Sequence, residues 1–147
     1  MTLPSLAHPP GRRGQALVEF ALVAPIFFLL LFAIIDFGRY VYYVEILNNA
    51  AREGTRYAIV HGELSIAPTG PPGDPSGAAV REVVRKYAVG VIGDSTVLDI
   101  QPSWPDGDNV RESLVTVIVT YQFRSLIPLV PLPPIQIQGA STLVINN

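Results

Sequence analysis

The chain has 147 residues, enough for one small domain, and its 49% apolar content with a mean hydropathy of +0.37 is high for a soluble protein of that size. The net charge of −2 lacks the basic surplus of a dedicated nucleic-acid binder, so we expect no nucleic acid among its partners. The absence of cysteine excludes a disulfide framework and a thiolate metal site.

Residues 1–14 are predicted to form a basic leader. They contain several prolines, which disfavour regular structure, and they end in Arg12-Arg13-Gly14, directly before an apolar run. Positive charge flanking a membrane span is retained in the cytoplasm. Arg12 and Arg13 therefore predict a cytoplasmic N-terminus, with the chain extracytoplasmic from about Asp36 onward.

The apolar run from Ala16 to Ile35 is predicted to cross the membrane, because its twenty residues match the thickness of a ~30 Å hydrocarbon core. A secretory signal has a shorter apolar run and a small-x-small cleavage site, so we expect this run to remain as an anchor in the cytoplasmic membrane. Tyr40, Tyr42 and Tyr43 follow it. We predict that they lie at the membrane interface, where aromatic rings collect.

The helical pattern continues beyond the span. Val44, Leu47 and Ala51 recur at three- and four-residue steps, and His61-Gly62 is the predicted stop. We therefore expect one N-terminal helix over residues 15–61, about 65 Å long at ~1.5 Å per residue. Its first part spans the membrane over about 16–35, and its extracytoplasmic extension covers 36–61.

Residues 62–147 are predicted to form an extracytoplasmic α+β domain. The predicted elements are a loop over 65–77, an amphipathic helix over 78–91 with Ser76 as its cap, strands over 97–100, 113–123 and 135–145, and a proline-rich crossing over 127–134. Glycine weakens strand interiors, so we expect an interruption at Gly139. The predicted fold is thus a long transmembrane helix, a second short helix and a small antiparallel sheet of about three strands.

Three segments of the first third of the chain carry a family resemblance. They are RRGQALVEFALVAPIFFLLLF over 12–32, IDFGR over 35–39 and NAAREGTRYA over 49–58, and the Val-rich strand that ends in Tyr121-Gln122-Phe123 adds to them. Together these segments resemble the TadE-like family, the pilin-like proteins of the tight-adherence (Tad/Flp pilus) secretion machinery. The specific part of the resemblance covers about residues 12–58.

The resemblance implies cleavage by a prepilin peptidase after Gly14, which leaves Gln15 as the mature N-terminus. Glu19 then becomes the fifth residue, followed by Phe20, and both are expected to act in recognition and assembly. A carboxylate in an apolar helix costs about 2.5 to 3.5 kcal/mol at the bilayer centre, so Glu19 needs a partner, which in pilins is the N-terminus of a neighbouring subunit. Glu19 also fits a simpler role, as an interfacial residue that reaches the headgroups.

Two further polar segments admit plain structural explanations. Residues 48–56 fit a solvated helix face, in which Glu53 pairs with Arg56 or with Asn49, at least as well as a binding surface. Asp106-Gly-Asp-Asn109 fits a turn better than a calcium loop, because no bidentate Glu follows at the required spacing. We therefore predict no metal site.

We expect no enzymatic activity and no cofactor, because His8 and His61 fall in the leader and at a helix end, and no serine sits in a Gly-x-Ser-x-Gly motif. The resemblance implies a minor pilin or pseudopilin-like subunit of a Tad pilus that acts in pilus assembly, adhesion or secretion. Its expected partners are the membrane, the prepilin peptidase, other pilin-like subunits and the Tad assembly platform, with a homo-oligomer or filament as a compatible state.

Two alternatives stay open. The first is an unprocessed, single-pass binding domain of the envelope, which leaves Gly14 and Glu19 without a role. The second is the main body of a filament, although major Flp pilins are usually much smaller than this chain.

Overall fold

The computed structural model describes residues 12–71, 73–92, 97–126 and 133–146. The elements are α1 (Arg12–Val60), α2 (Ala78–Ile92), β1 (Leu98–Ser103), β2 (Leu114–Phe123) and β3 (Ile135–Val144). A long apolar helix, a short helix and a three-stranded antiparallel sheet confirm the predicted α+β class. The predictions for residues 1–11 and for 127–132 lie outside the described residues.

Helix α1 is one unbroken element of 49 residues, about 70 Å long at ~1.5 Å per residue. It continues through Pro25, begins three residues before the predicted start and ends one residue before the predicted stop. None of its most apolar eighteen-residue stretch is buried. One helix of this length and composition near the N-terminus fits a single-pass membrane protein.

The sheet is a meander in the order β1-β2-β3, with antiparallel pairing on both sides of β2. The β2–β3 register runs from Leu114 opposite Val144 to Phe123 opposite Ile135. β2 is the central strand, and its three valines at alternate positions are buried, whereas most side chains of its other face are partly exposed. Its C-terminal end, at Phe123, is therefore also the end at which β3 begins.

The core lies between this buried sheet face and the two helices. α1 packs over β2 and β3, and α2 lies against α1 and β1. The core side chains are Leu47, Ala50, Ala51, Ala58, Val80, Val84, Ala88, Leu98, Ile100, Trp104, Val115, Val117, Val119, Phe123, Ile137 and Ile145. The second half of α1 is thus the central core element of the domain, while its first half makes no core contact.

Two glycines allow the elements to approach α1 closely. A Cβ at Gly54 of α1 would collide with the Val84 side chain of α2, and a Cβ at Gly139 of β3 would lie 2.6 Å from the Leu47 carbonyl oxygen. β3 runs without a break through Gly139, so the expected interruption is wrong. The glycine marks a close approach of strand and helix backbones, which is the other role of glycine inside a strand.

The start of α2 is capped by Asp74. The backbone N–H of Ala79 donates to Asp74 Oδ2 at 3.0 Å, and Ser76 Oγ donates to Asp74 Oδ1 at 2.7 Å. These hydrogen bonds hold the pKa of Asp74 below its ordinary value, and the bond from Ser76 has the largest effect. Ser76, which the sequence suggested as the cap, therefore supports the capping carboxylate instead of accepting the helix N–H itself.

We expect Gly139→Ala to destabilise the domain by about 1 to 3 kcal/mol, because the new methyl group meets the backbone of α1, which cannot move aside as a side chain can. The measurement is chemical unfolding of the full chain in detergent micelles, followed by the fluorescence of the single tryptophan, Trp104, which lies in the core.

Gly38→Ala is the matched control for that substitution. A Cβ at Gly38 meets nothing within 4 Å, and alanine has the higher helix propensity, so the free energy of unfolding should rise by up to about 1 kcal/mol or stay unchanged. Equal effects of the two substitutions would contradict the close approach at Gly139.

Candidate functional site: the junction of helix and sheet

Asp36 is the first residue after the apolar run of 16–35, and it is only 7% exposed. Its carboxylate receives three bonds. Arg39 Nη1 donates a hydrogen bond to Oδ1 at 2.7 Å, and the Leu126 backbone N–H donates one to Oδ2 at 2.8 Å. The Ser125 hydroxyl also donates a hydrogen bond to Oδ2. A buried carboxylate is stable only when cations and donors replace the water that it loses, and here both are present.

These donors come from segments that are far apart in the sequence. Arg39 lies one turn further along α1, whereas Ser125 and Leu126 are the second and third residues after β2. Asp36 therefore fastens the C-terminal end of the central strand to α1 at the point where its apolar run ends. We call the cluster of Asp36, Arg39 and Ser125 the junction.

Arg39 is held on its second side by aromatic rings. Its guanidinium carbon lies 5.2 Å from the Phe123 ring centroid and 5.7 Å from that of Tyr43. A cation over an aromatic face at these distances is attracted by the ring quadrupole, more strongly when water is excluded. The pair of Asp36 and Arg39 is thus fixed in one geometry, with Arg39 between a carboxylate and two rings.

Of the three tyrosines predicted at the membrane interface, two pack on the sheet. The Tyr40 ring meets Phe123 edge-on at 6.0 Å, and the Tyr43 ring meets Tyr121 at 5.3 Å. Tyr42 points away and is 54% exposed. All three follow the predicted span within about two helical turns, so their place at a membrane interface stays a prediction, and Tyr40 and Tyr43 form the aromatic wall of the junction.

The predicted processing and assembly residues lie at the other end of α1, about 30 Å away along the helix axis. Gly14 has open space around it, and Phe20 is exposed. Glu19 Oε1 accepts a hydrogen bond from Gln15 Nε2 at 3.2 Å, one helical turn away. The structure thus brings Gln15 and Glu19 together and keeps both apart from the junction.

The segment 48–56 contributes to both the core and a groove. Glu53 and Arg56 line a groove of about 380 Å³ between the helices, together with Tyr57, His61 and Lys86. Glu53 does not form the ion pair with Arg56 that a solvated face suggested, since the one ion pair within the described residues is Asp36–Arg39. This groove carries two cations and one carboxylate.

The acidic turn before β2 is structural. Asp106 Oδ2 accepts the Leu114 N–H at 2.7 Å, and Asp108 accepts the Ser113 hydroxyl. Asn109 donates through Nδ2 to the carbonyls of His61 and Thr69, so it ties this turn to the end of α1. No group of three or more potential metal ligands occurs within the part of the chain that the structure describes.

Sequence reasoning named Tyr40 and Tyr43 but missed Asp36, Arg39 and Ser125. A local signal for the first two exists, because a carboxylate at the end of an apolar run with an arginine three residues later is the spacing of a helical ion pair. No local signal points to Ser125, which is 89 residues away from Asp36.

One family of known proteins matches the chain. The model of the TadE-like family, described as TadE-like protein, matches residues 14–56 and confirms the resemblance drawn from the sequence. The matched segment includes the whole apolar run, Glu19, Asp36 and Arg39. No curated protein and no solved structure gives a significant match to this chain.

We expect Asp36→Ala to release the end of β2 from α1, because the Leu126 N–H loses its acceptor and Arg39 loses its counter-ion. The free energy of unfolding should fall by about 1 to 3 kcal/mol. Hydrogen exchange at the Leu126 amide, followed in the full chain in micelles, should become markedly faster.

Asp99→Ala is the control for this substitution, because Asp99 is exposed and its hydrogen bond is to the neighbouring side chain of Gln101. Its effect on stability should stay within about 0.5 kcal/mol. An unchanged exchange rate at Leu126 in Asp36→Ala would show that the junction does not hold the strand.

Proposed function

We propose that this chain, TadE-like over residues 14–56, is a minor pilin or pseudopilin-like subunit of a Tad pilus. A TadE-like segment points to a Tad-pilus-associated protein, and its single apolar helix fits a single-pass membrane anchor. In this proposal a prepilin peptidase removes the leader after Gly14. The mature subunit then meets the assembly platform and other pilin-like subunits through its helix.

The observation that carries the proposal is the continuity of α1. The match begins at Gly14 and ends at Arg56, so it covers the apolar run together with the part of the helix that organises the core. The most apolar eighteen-residue stretch of the helix is not buried by any other part of the chain. Such a helix is stored in lipid and is equally suited to pack against the helices of neighbouring subunits.

Topology supports an outward-facing domain. Arg12 and Arg13 stand before the span, and Arg39, the first basic residue after it, is paired with Asp36. The basic residues next to the span are thus concentrated on its N-terminal side, which favours a cytoplasmic N-terminus.

The contact between Gln15 and Glu19 supports a role for the new N-terminus. Glu19 is the one ionisable residue of the apolar run, and its partner is the side chain of the residue that cleavage makes terminal. The α-amine freed at Gln15 therefore arises one helical turn from the carboxylate. A neighbour's amine can replace or supplement the side-chain amide as its partner, which gives subunits a defined register.

A second candidate function is an unprocessed, anchored binding domain of the envelope. The groove between α1 and α2 favours it, because Arg56, Lys86 and two tyrosines offer cationic and aromatic contacts to a ligand. The two functions differ in the mature N-terminus, so the next measurement separates them.

The membrane form should begin at Gln15 and lack the mass of residues 1–14, as measured by mass spectrometry of the intact protein. Gly14→Leu should block cleavage, because the bulky side chain stands at the scissile bond. Gly38→Leu is the matched control on the same helix, with equally open surroundings, and should be processed normally. An active protein that retains Met1 would contradict the pilin function.

Glu19→Ala should keep or improve membrane insertion, by up to about 3 kcal/mol, and should leave cleavage largely intact. Recruitment into pili, scored by crosslinking or pilus yield, should fall about tenfold or more if a charge-assisted contact of 1.5 to 3 kcal/mol is lost. Glu19→Gln should be intermediate.

Glu45→Ala, on an exposed position of the same helix beyond the span, is the control for assembly. It should assemble at the normal level. Normal assembly of Glu19→Ala would mean that the carboxylate is only an interfacial residue.

A further inference from the structure

The junction sets the height of the sheet relative to the apolar run. The Leu126 N–H lies 2.8 Å from the carboxylate of Asp36, the residue that follows the run. Ile135, the first residue of β3, lines the same groove as Ala33, which belongs to the run itself. The membrane-proximal end of the sheet therefore reaches the level of residues 33–37 of the helix.

This level lies inside the interfacial region of a bilayer. The headgroup layers add about 5 to 7 Å to each side of the ~30 Å hydrocarbon core, which equals about four residues of helix. If the core ends near Ile35, everything at the height of Asp36 and Phe37 lies among headgroups and the first acyl carbons. The end of the sheet cannot stand clear of the lipid.

The side chains at this level are apolar and open. Phe37 is 69% exposed, Leu126 is 55% exposed and Ile135 is 46% exposed. Phe37 and Ile135 line an open, mostly apolar groove of about 400 Å³ beside Asp36, and Leu126 follows Ser125, which lines the same groove. Ala33 of the apolar run lines this groove too, so the exposed apolar side chains of helix and sheet adjoin each other at this level. We call Phe37, Leu126 and Ile135 the collar.

A cation accompanies the collar. Arg124 is exposed, precedes Ser125 and Leu126, and shares a second depression of about 400 Å³ with Arg39 and Leu126. Arg39 is engaged by Asp36, whereas Arg124 has no acidic partner within the described residues. A guanidinium beside interfacial apolar side chains suits the phosphate of a phospholipid headgroup.

We propose that the collar lies in the extracytoplasmic leaflet, where Phe37, Leu126 and Ile135 contact acyl chains and Arg124 binds headgroup phosphate. The sheet domain is thus a second membrane contact, separate from the span. This inference rests on the proposed membrane anchoring, so its test needs a probe for each contact.

The chain contains no cysteine, so single cysteines can carry a bimane label without altering any native thiol. Leu126→Cys probes the collar, Leu22→Cys probes the span, and Leu64→Cys probes a loop residue that is 82% exposed beyond the end of α1. Each full-length variant is reconstituted in vesicles of phosphatidylcholine and phosphatidylglycerol that contain a lipid with a doxyl quencher at a shallow acyl carbon. Trp104 fluorescence verifies that each variant is folded.

The proposal predicts strong quenching at Leu22 and Leu126 and little at Leu64. Quenching at Leu22 with no more quenching at Leu126 than at Leu64 would overturn the collar and leave the anchoring intact. No quenching at Leu22 would overturn the anchoring, and the collar with it.

Two further measurements test the occupant. In Arg124→Glu, quenching at Leu126 should fall by about twofold or more in vesicles rich in phosphatidylglycerol, because like charge repels the headgroups. If the Leu126 label is instead protected from aqueous iodide without doxyl quenching, and dilution of protein in lipid removes the protection, a second copy covers the collar and the proposal fails.

Discussion

The bonds that converge on the Asp36 carboxylate decide where the sheet sits along α1. A carboxylate at the end of an apolar run must find donors, and in this fold two of the three come from residues that follow the central strand. The end of β2 is therefore drawn to the level at which the span ends. The aromatic packing of Tyr40 and Tyr43 and the open apolar end of the sheet follow from that height.

The two halves of helix α1 lie in different environments, and they differ in the size of their side chains. Its first half carries large apolar side chains that no other element covers. Its second half presents Ala50, Ala51, Gly54 and Ala58 to the core, and these small residues let α2 and β3 pack against the helix backbone. Large residues there would hold the sheet away from the helix, and the span would then carry a loosely tethered domain.

Sequence periodicity predicted most of the fold, because the span, both helices and the alternating valines of β2 are local patterns. Prediction from the sequence was wrong or incomplete where the same residue pattern can have two different physical causes. Gly139 predicts a weak point of β3 by residue type alone, but it is a place of close approach, which depends on the position of α1. Tyr40 and Tyr43 fit an interface by spacing alone, and only the tertiary fold shows Phe123 and Tyr121 against them. Ser125 had no signal at all.

The unbroken course of α1 has a mechanical consequence. From Asp36 to Val60 the helix runs about 36 Å, and the sheet is fastened along it by the junction and by the core. The span and the domain are therefore expected to tilt together as one rigid unit. Membrane helices adjust their tilt to bilayer thickness, and a change of ~10° would carry the far end of the domain sideways by about 6 Å. A change in local membrane thickness would then shift the loop after α1 sideways, with no rearrangement inside the domain.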